Sequence, residues 1–417
     1  MNNLINTNNL INMLNKGKTQ FHVVKECVNK FSEAGFQMLD LTKDWGELKP
    51  GKYMVNPFSS MLVAFVIGED AKHLRVAMAH TDFPCLKLKS NPDMKKSGYL
   101  MANVEPYGGL IKSTWFDRPL GLAGKLVVKG ENAFSPKTIL YDSNKPICII
   151  PNLAPHLKKD KGSEMDVQKE LIALVSMVKE GSETDRVIKF AANSAGVDYE
   201  DILDYDLYLY AWEQPQIVGM EDEFLTGARI DNISSVSAIT EALINNHITS
   251  SIAVGVFFDN EEIGSRSKQG ADSTLLRDIL EKVVTDQKLI YDGFNISCDV
   301  AHGLHPNYAE KSDITNQIIL GGGVALKTSA SQRYVTDSEA GAVIAALCNE
   351  KNIKLQRQVN RSGMAGGQTL GPIVSSYLPM KSVDLGIPML AMHSARELIH
   401  KNDYEELVKL LKEYYRY

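Results

Sequence analysis

The chain has 417 residues, a formal net charge of −6, 44% hydrophobic and 23% charged residues, and a sequence pI near 5.9. Length and composition fit a soluble globular protein with room for two domains and a sizeable core. The acidic balance argues against a nucleic-acid binder, which needs a basic face, and the longest apolar runs, Met61–Gly68 and Ile252–Phe258, are too short to span a membrane.

The N-terminus, "MNNLINTNNLINMLNKGK", is asparagine-rich and lacks the apolar region of a signal peptide. Met61–Gly68 and His73–Ala79 read as strands around a turn at Glu69–Lys72, the second running into "AHTDFPCLKLK". A long middle section, 91–224, is punctuated by glycine and proline at 107–109, 118–124 and 151–155. It holds strand-like runs at Lys125–Val128 and Asp206–Trp212, and "KKDKGSEMDVQKE" is polar enough for an exposed loop. After Thr226 the pattern alternates. Helices are expected at Asp231–Ile244, Ser273–Val284, Asp337–Cys348 and Asp403–Lys412, the last capped by Asn402 or Asp403. Strands are expected at Ile252–Asp259, Phe294–Asp299, Lys354–Gln358 and Pro388–Met392. Such alternation predicts an α/β fold with a mostly parallel sheet. The five cysteines are scattered without a CxxC pair, which reads as reduced thiols in a cytoplasmic protein.

Five short stretches place His, Asp or Glu at a strand end or a helix start. They are His80 and Asp82 in "AHTD", Asp231 in "GARIDN", Glu261 and Glu262 in "DNEE", Asp299 in "SCDVAH" and His393 in "AMHSARE". The carboxyl ends of strands are where open α/β sheets build their sites. Any one of these residues has a plainer role: Asp231 could cap the following helix, and Glu261 could be a solvated neighbour of Arg266. As a set, adjacent carboxylates near a core require cations. Two imidazoles with several carboxylates suit zinc, manganese or cobalt better than magnesium, and shared carboxylates point to two metals. His302 and His305 in "DVAHGLHPNY" have no ligand spacing and read as supporting or structural residues.

These stretches, with "TWFDRPLGLAGK", "IPNLAPHL", "DNEEIGSRSKQGADS" and "QRYVTD", resemble the M18 metallo-aminopeptidases, in the aspartyl aminopeptidase group. The matches run in family order from residue 79 to 397. The resemblance implies an α/β catalytic domain, 1–90 plus 225–417, interrupted by a β-rich dimerisation domain, 91–224. It implies one metal held by His80, Asp231 and Asp299 and a second by Asp231, Glu262 and His393. Asp231 bridges, Asp82 orients His80, and Glu261 is the general base. Two divalent ions are implied, zinc first, with cobalt or manganese as alternatives. The substrates are peptides, cut at the free amino terminus.

Lys327, before "SASQRY", matches a family lysine near the substrate side chain, where an ammonium would favour acidic residues. Ser362 and Gly363 depart from the family, standing where aspartyl aminopeptidases carry a polar Asn-Asp segment. Members of this kind form dodecameric shells built from dimers. The residue matching His156 reaches a neighbouring subunit's site, which implies a homo-oligomer with His156 acting in trans. Two other readings share the pattern: a di-metal carboxypeptidase or deacylase, and a noncatalytic shell or cargo protein that keeps the fold.

Overall fold

The strand Ser251–Phe258 is buried along its whole length, as an uninterrupted "SIAVGVFF" run requires of a central parallel strand. The computed structural model describes residues 5–157, 165–178, 184–284, 286–364 and 366–417. They form two compact units. One comprises Met1–Asp82, Pro215–Met392 and Glu397–Tyr417; the other comprises Phe83–Gln214 with His393–Arg396.

The first unit is built on a nine-stranded sheet. Its order is Gln37–Leu39, Gly51–Phe58, Met61–Ile67, Ser251–Phe258, His73–His80, Phe294–Cys298, Lys381–Gly386, Val324–Thr328 and Leu355–Val359. The strands Ser251–Phe258, His73–His80, Phe294–Cys298 and Lys381–Gly386 run parallel in the middle, in a register that pairs Phe258 with His80, Ser297 with Met78 and Cys298 with Leu385. Their carboxyl ends therefore share one edge. Antiparallel neighbours occur at Gly51–Phe58 with Met61–Ile67, at Met61–Ile67 with Ser251–Phe258, and at Lys381–Gly386 with Val324–Thr328. The expected mostly parallel α/β sheet is borne out.

Alternation along the strands gives the sheet two unlike faces. Val76, Met78, Val254, Val256 and Phe258 pack with Leu276, Ile279 and Leu280 of the helix Leu275–Val283 and with Leu370 and Val374. The opposite parity carries small residues, Ala77, Ala79, Ala253 and Gly255. A Cβ on Gly255 would lie 2.7 Å from Leu243 and 2.8 Å from Ile239, so glycine lets the helix Ile230–Ile244 approach the sheet. The C-terminal helix Lys401–Arg416 packs on that helix, with the Tyr404 hydroxyl donating to Ser237 Oγ at 2.8 Å. A further sheet in this unit joins Gln216–Val218, Phe224–Gly227, Glu397–His400, Pro388–Leu390 and Ala301–His302.

The second unit is an antiparallel six-stranded sheet in the order Lys137–Asp142, Leu120–Val128, Ile202–Ala211, Cys85–Lys96, Tyr99–Tyr107 and Ala173–Met177. It carries the helix Arg186–Ala195. The expected run Lys125–Val128 falls inside one of these strands, and Asp206–Trp212 overruns another by one residue, Trp212.

Some expectations are corrected. The C-terminal helix is capped by His400, whose ring accepts from the Asn402 N–H, rather than by Asn402 or Asp403. Asp403 instead accepts the N–H groups of Gly321 and Gly323, both at 2.7 Å. The asparagine-rich N-terminus contains the helix Ile5–Lys16, which buries Leu10, Met13 and Leu14. Of the expected loop "KKDKGSEMDVQKE", residues 158–164 lie outside the described residues, and Val167–Glu170 is a short helix. Among the described residues no helix is long and apolar enough to cross a membrane.

Candidate metal centre

Four elements of the first unit deliver acidic or imidazole side chains to the shared sheet edge. His80 is the last residue of its strand and Asp299 directly follows Phe294–Cys298. Glu261 and Glu262 lie in a 3-10 turn, Glu261–Ile263, just beyond Phe258. Asp231 sits at the start of Ile230–Ile244, where its backbone leaves helical geometry (φ −75°, ψ 108°). The Asp231 N–H donates to Glu397 Oε2 at 3.0 Å.

His80 is 1% exposed and organises the cluster. Its Nε2 faces Asp231 Oδ1 at 3.5 Å and Asp299 Oδ1 at 3.6 Å. Its Nδ1 lies 3.0 Å from the Asp82 backbone carbonyl and 3.4 Å from the Asp82 carboxylate. The carboxylate of Asp82 accepts the N–H groups of Glu261 at 3.1 Å and Glu262 at 3.2 Å. One residue thus orients the imidazole through its carbonyl and fixes the two-glutamate turn through its side chain. Ligand atoms of His80, Asp231 and Asp299 lie within 4.8 Å of one another, as do those of His80, Glu261 and Glu262. The strand alternation that would send adjacent glutamates apart does not operate here, because the strand ends at Phe258 and the turn brings both carboxylates toward His80.

The electrostatics describe a cluster that demands positive charge. Burial would depress the His80 pKa, but hydrogen bonds to Asp231, Asp299 and Asp82 prevail and raise it well above its ordinary value. Desolvation pushes Glu261 up to about 8; the charge on His80 opposes this, and Asp299, Asp82 and Asp231 add to it. Desolvation also raises Asp259, 1% exposed, to about 7, helped by the charge of Asp82. The carboxylates of Asp82, Asp231 and Asp299 gather around the His80 ring as they would around a cation. One imidazole nitrogen among carboxylate oxygens is also a donor set that zinc accepts, so the residues fit a transition-metal ion.

Lys327 is 2% exposed, 3.6 Å from Asp299 Oδ2 and 5.4 Å from the Tyr334 ring centroid. It is not a solvated lysine. Burial would lower its pKa, but Asp299 and other acidic neighbours raise it; desolvation would raise Asp299, but Lys327 and His80 lower it. Arg266 pairs with Asp272 at 3.7 Å rather than with Glu261. His302 and His305 line a cavity of about 250 Å³ with Gln358, Asn360 and Arg361.

His393 folds with the second unit, where its Nδ1 lies 2.9 Å from the Gly109 carbonyl. His156 belongs to the same unit and is exposed. Glu397 and Asp259 were missed as site residues, although both lie in the quoted stretches "MHSARE" and "DNEE". An acid that bonds a backbone N–H or backs another acid leaves no spacing signal.

Residues 13–415 match the family described as aminopeptidase I zinc metalloprotease (M18). A protein of Clostridium novyi, "Probable M18 family aminopeptidase 2", is 40% identical over 423 residues, covering 98% of this chain and 98% of its own. The cryo-EM structure of the Ape4 and Nbr1 complex contains a chain 30% identical, with a TM-score of 0.93 over 99% of this chain and 85% of that one. The mApe1 dodecamer of S. cerevisiae is 25% identical, with a TM-score of 0.86 over 100% of this chain and 97% of that one.

Proposed function

The chain belongs to the M18 family of zinc metallo-aminopeptidases, and from that premise we propose how its residues remove the N-terminal residue of a peptide. The convergence of His80, Asp231 and Asp299 on one sheet edge, with Glu261 and Glu262 beside the same imidazole, carries this reading. One divalent ion is assigned to His80, Asp231 and Asp299. A second is assigned to Asp231, Glu262 and His393, so that Asp231 serves both. Zinc is the expected metal, with cobalt or manganese able to replace it.

When bound, such ions supply Lewis acidity that polarises a peptide carbonyl and acidifies water. Glu261 takes a proton from the attacking water and delivers it to the leaving amine. A carboxylate within reach of that water can act as acceptor first and, once it carries the proton, as donor. Asp82 keeps His80 turned toward Asp231 and Asp299 while holding the Glu261–Glu262 turn by its amides. Recognition of the free α-amino group beside this cluster would make the reaction an exopeptidase cut.

Lys327 is assigned to the recognition of acidic N-terminal residues. Once Asp299 is committed to a metal, the ammonium beside it is less compensated and can meet a substrate carboxylate. The second unit is assigned to dimerisation within a dodecamer. His156 is assigned to the neighbouring subunit's site, where its imidazole would donate to the oxyanion that forms as water attacks.

The test is a panel of aminoacyl amides, with free and with blocked amino termini, against protein reconstituted with zinc, cobalt or manganese. Cleavage confined to free amino termini, fastest for Asp or Glu, is expected. Equal cleavage of blocked substrates would indicate the deacylase or carboxypeptidase plan. A protein that binds none of these metals and gains no activity would be a shell without chemistry.

A further inference from the structure

Two motifs, "TWFDRP" and "IPNLAPH", are joined in the second unit, and the first has no role so far. Asn152 donates its backbone N–H to Asp117 Oδ1 at 2.8 Å and its Nδ2 to Asp117 Oδ2 at 2.6 Å. The Asp117 N–H in turn donates to the Ile150 carbonyl at 2.9 Å. Asp117 holds φ at 59°, a left-handed conformation that Asp tolerates better than most residues. The bonds from Asn152 keep its carboxyl below the usual range, and so ionised at neutral pH.

The segment held in this way is the one that carries His156. Ile149 still bonds the strand Ala173–Met177 through Leu174, but residues 151–157 leave the sheet. Pro151 and Pro155 have no N–H to contribute. Among the described residues, the hydrogen bonds that fasten 151–157 to the rest of the unit are those of Asn152 with Asp117; the Leu157 N–H bonds only within the segment, to Ala154.

The other end of the connector that carries Asp117 holds His393. The Ile111 N–H donates to the His393 carbonyl at 2.9 Å, Gly109 O meets its Nδ1 at 2.9 Å, and Thr114 Oγ1 accepts from Ala395 N–H at 2.9 Å. Between these ends the 3-10 turn Lys112–Trp115 is anchored by Trp115, 3% exposed. A single short connector therefore grips the segment assigned to a metal at one end and the His156 segment at the other.

We propose that Asp117 is a positioning residue for His156: its two-point clasp on Asn152 sets the segment that presents this imidazole to a neighbouring subunit. The proposal rests on the reading of His156 as an oxyanion donor in trans. An exposed segment with two prolines and no sheet bonds would otherwise sample many positions. The clasp removes that freedom before assembly, as preorganised donors require.

The experiment uses the full-length, metal-loaded protein and its mixed assemblies, with subunit content confirmed by mass. Asp117→Ala should lower kcat by about 10-fold or more and leave KM nearly unchanged, because an oxyanion donor acts in the transition state. In a His156→Ala background it should change kcat by less than about twofold, the non-additivity expected of two residues that act as one. Mixing Asp117→Ala with Glu261→Gln subunits should restore activity, since intact bases then receive a well-held His156. Mixing Asp117→Ala with His156→Ala should restore none. The exchanged pair Asp117→Asn with Asn152→Asp should re-form the clasp and recover kcat, and it decides the matter if Asp117→Ala does not assemble. Equal losses in both backgrounds, or Asp117→Ala hybrids that stay inactive while His156→Ala with Glu261→Gln recovers, would overturn the clasp. Failure of the His156→Ala with Glu261→Gln hybrid itself would instead remove the trans reading, and the proposal with it.

Discussion

The Lys327 ammonium lies 3.6 Å from the Asp299 carboxylate at a position where the lysine is 2% exposed. The pair links the acidic cluster to the strand Val324–Thr328, and it gives Lys327 a charge to balance even before a substrate arrives. Lys327→Met should destabilise the metal-free protein by about 1–3 kcal/mol, the cost of removing one charged partner from Asp299 while His80 remains beside it. The loss should shrink when zinc neutralises Asp299, so melting with and without zinc measures it. On substrates, the variant should lose several-fold more activity on Asp and Glu termini than on Leu. An equal loss on both would remove Lys327 from substrate recognition.

Glu261→Gln should retain its metals and lose kcat by at least about 10²-fold, the scale of a missing general base. Metal counting and steady-state kinetics on one preparation check both halves. Normal turnover in the metal-replete variant rejects the assignment.

Asp82→Ala removes the acceptor of two amides at once, those of Glu261 and Glu262. Supporting residues of this kind typically contribute 10–100-fold to metal affinity, and a fall of about that size is expected in a chelator-competition titration of zinc. Unchanged affinity would mean that the turn keeps its shape without the carboxylate.

Asp231→Ala should lower occupancy at both metal positions, since it is assigned to both. Metal analysis of the purified variant gives the stoichiometry directly. Two ions per chain would reject the shared role of Asp231.

Away from the site, burial raises the Asp403 pKa to about 6, even though Gly321 and Gly323 donate to its carboxylate. The folded state therefore takes up this proton at higher pH than the unfolded chain, whose Asp titrates near 3.9. Its contribution to stability grows as pH falls from about 6 to about 4. His400, at the start of the same helix, has a pKa lowered by burial and works in the opposite sense as pH falls through its unfolded value. The difference between wild type and Asp403→Asn isolates the aspartate. Denaturant unfolding across this range should favour wild type progressively at lower pH, and a flat difference would refute the shift.

Several features of this protein were legible in the order of its residues. Apolar runs such as "SIAVGVFF" and "MLVAFVI" can be satisfied only in a sheet core, and acids directly beyond such runs lie at strand ends because the chain has nowhere else to put them. His80, Asp299, Glu261 and Glu262 were therefore recognisable as a group, and so was the α/β class. Tertiary structure decided what local spacing cannot encode. Asp231 stands at the start of a helix yet outside helical geometry, its N–H held by Glu397, 166 residues away. Nothing in the local sequence marks Lys327 as buried, yet strand pairing buries it against Asp299. Asp403 occupies a plausible cap position, yet two glycine amides from a distant loop claim its carboxylate and leave the cap to His400. In each case a polar or charged group has several partners within reach, and which one it takes depends on the chain segments that folding brings beside it.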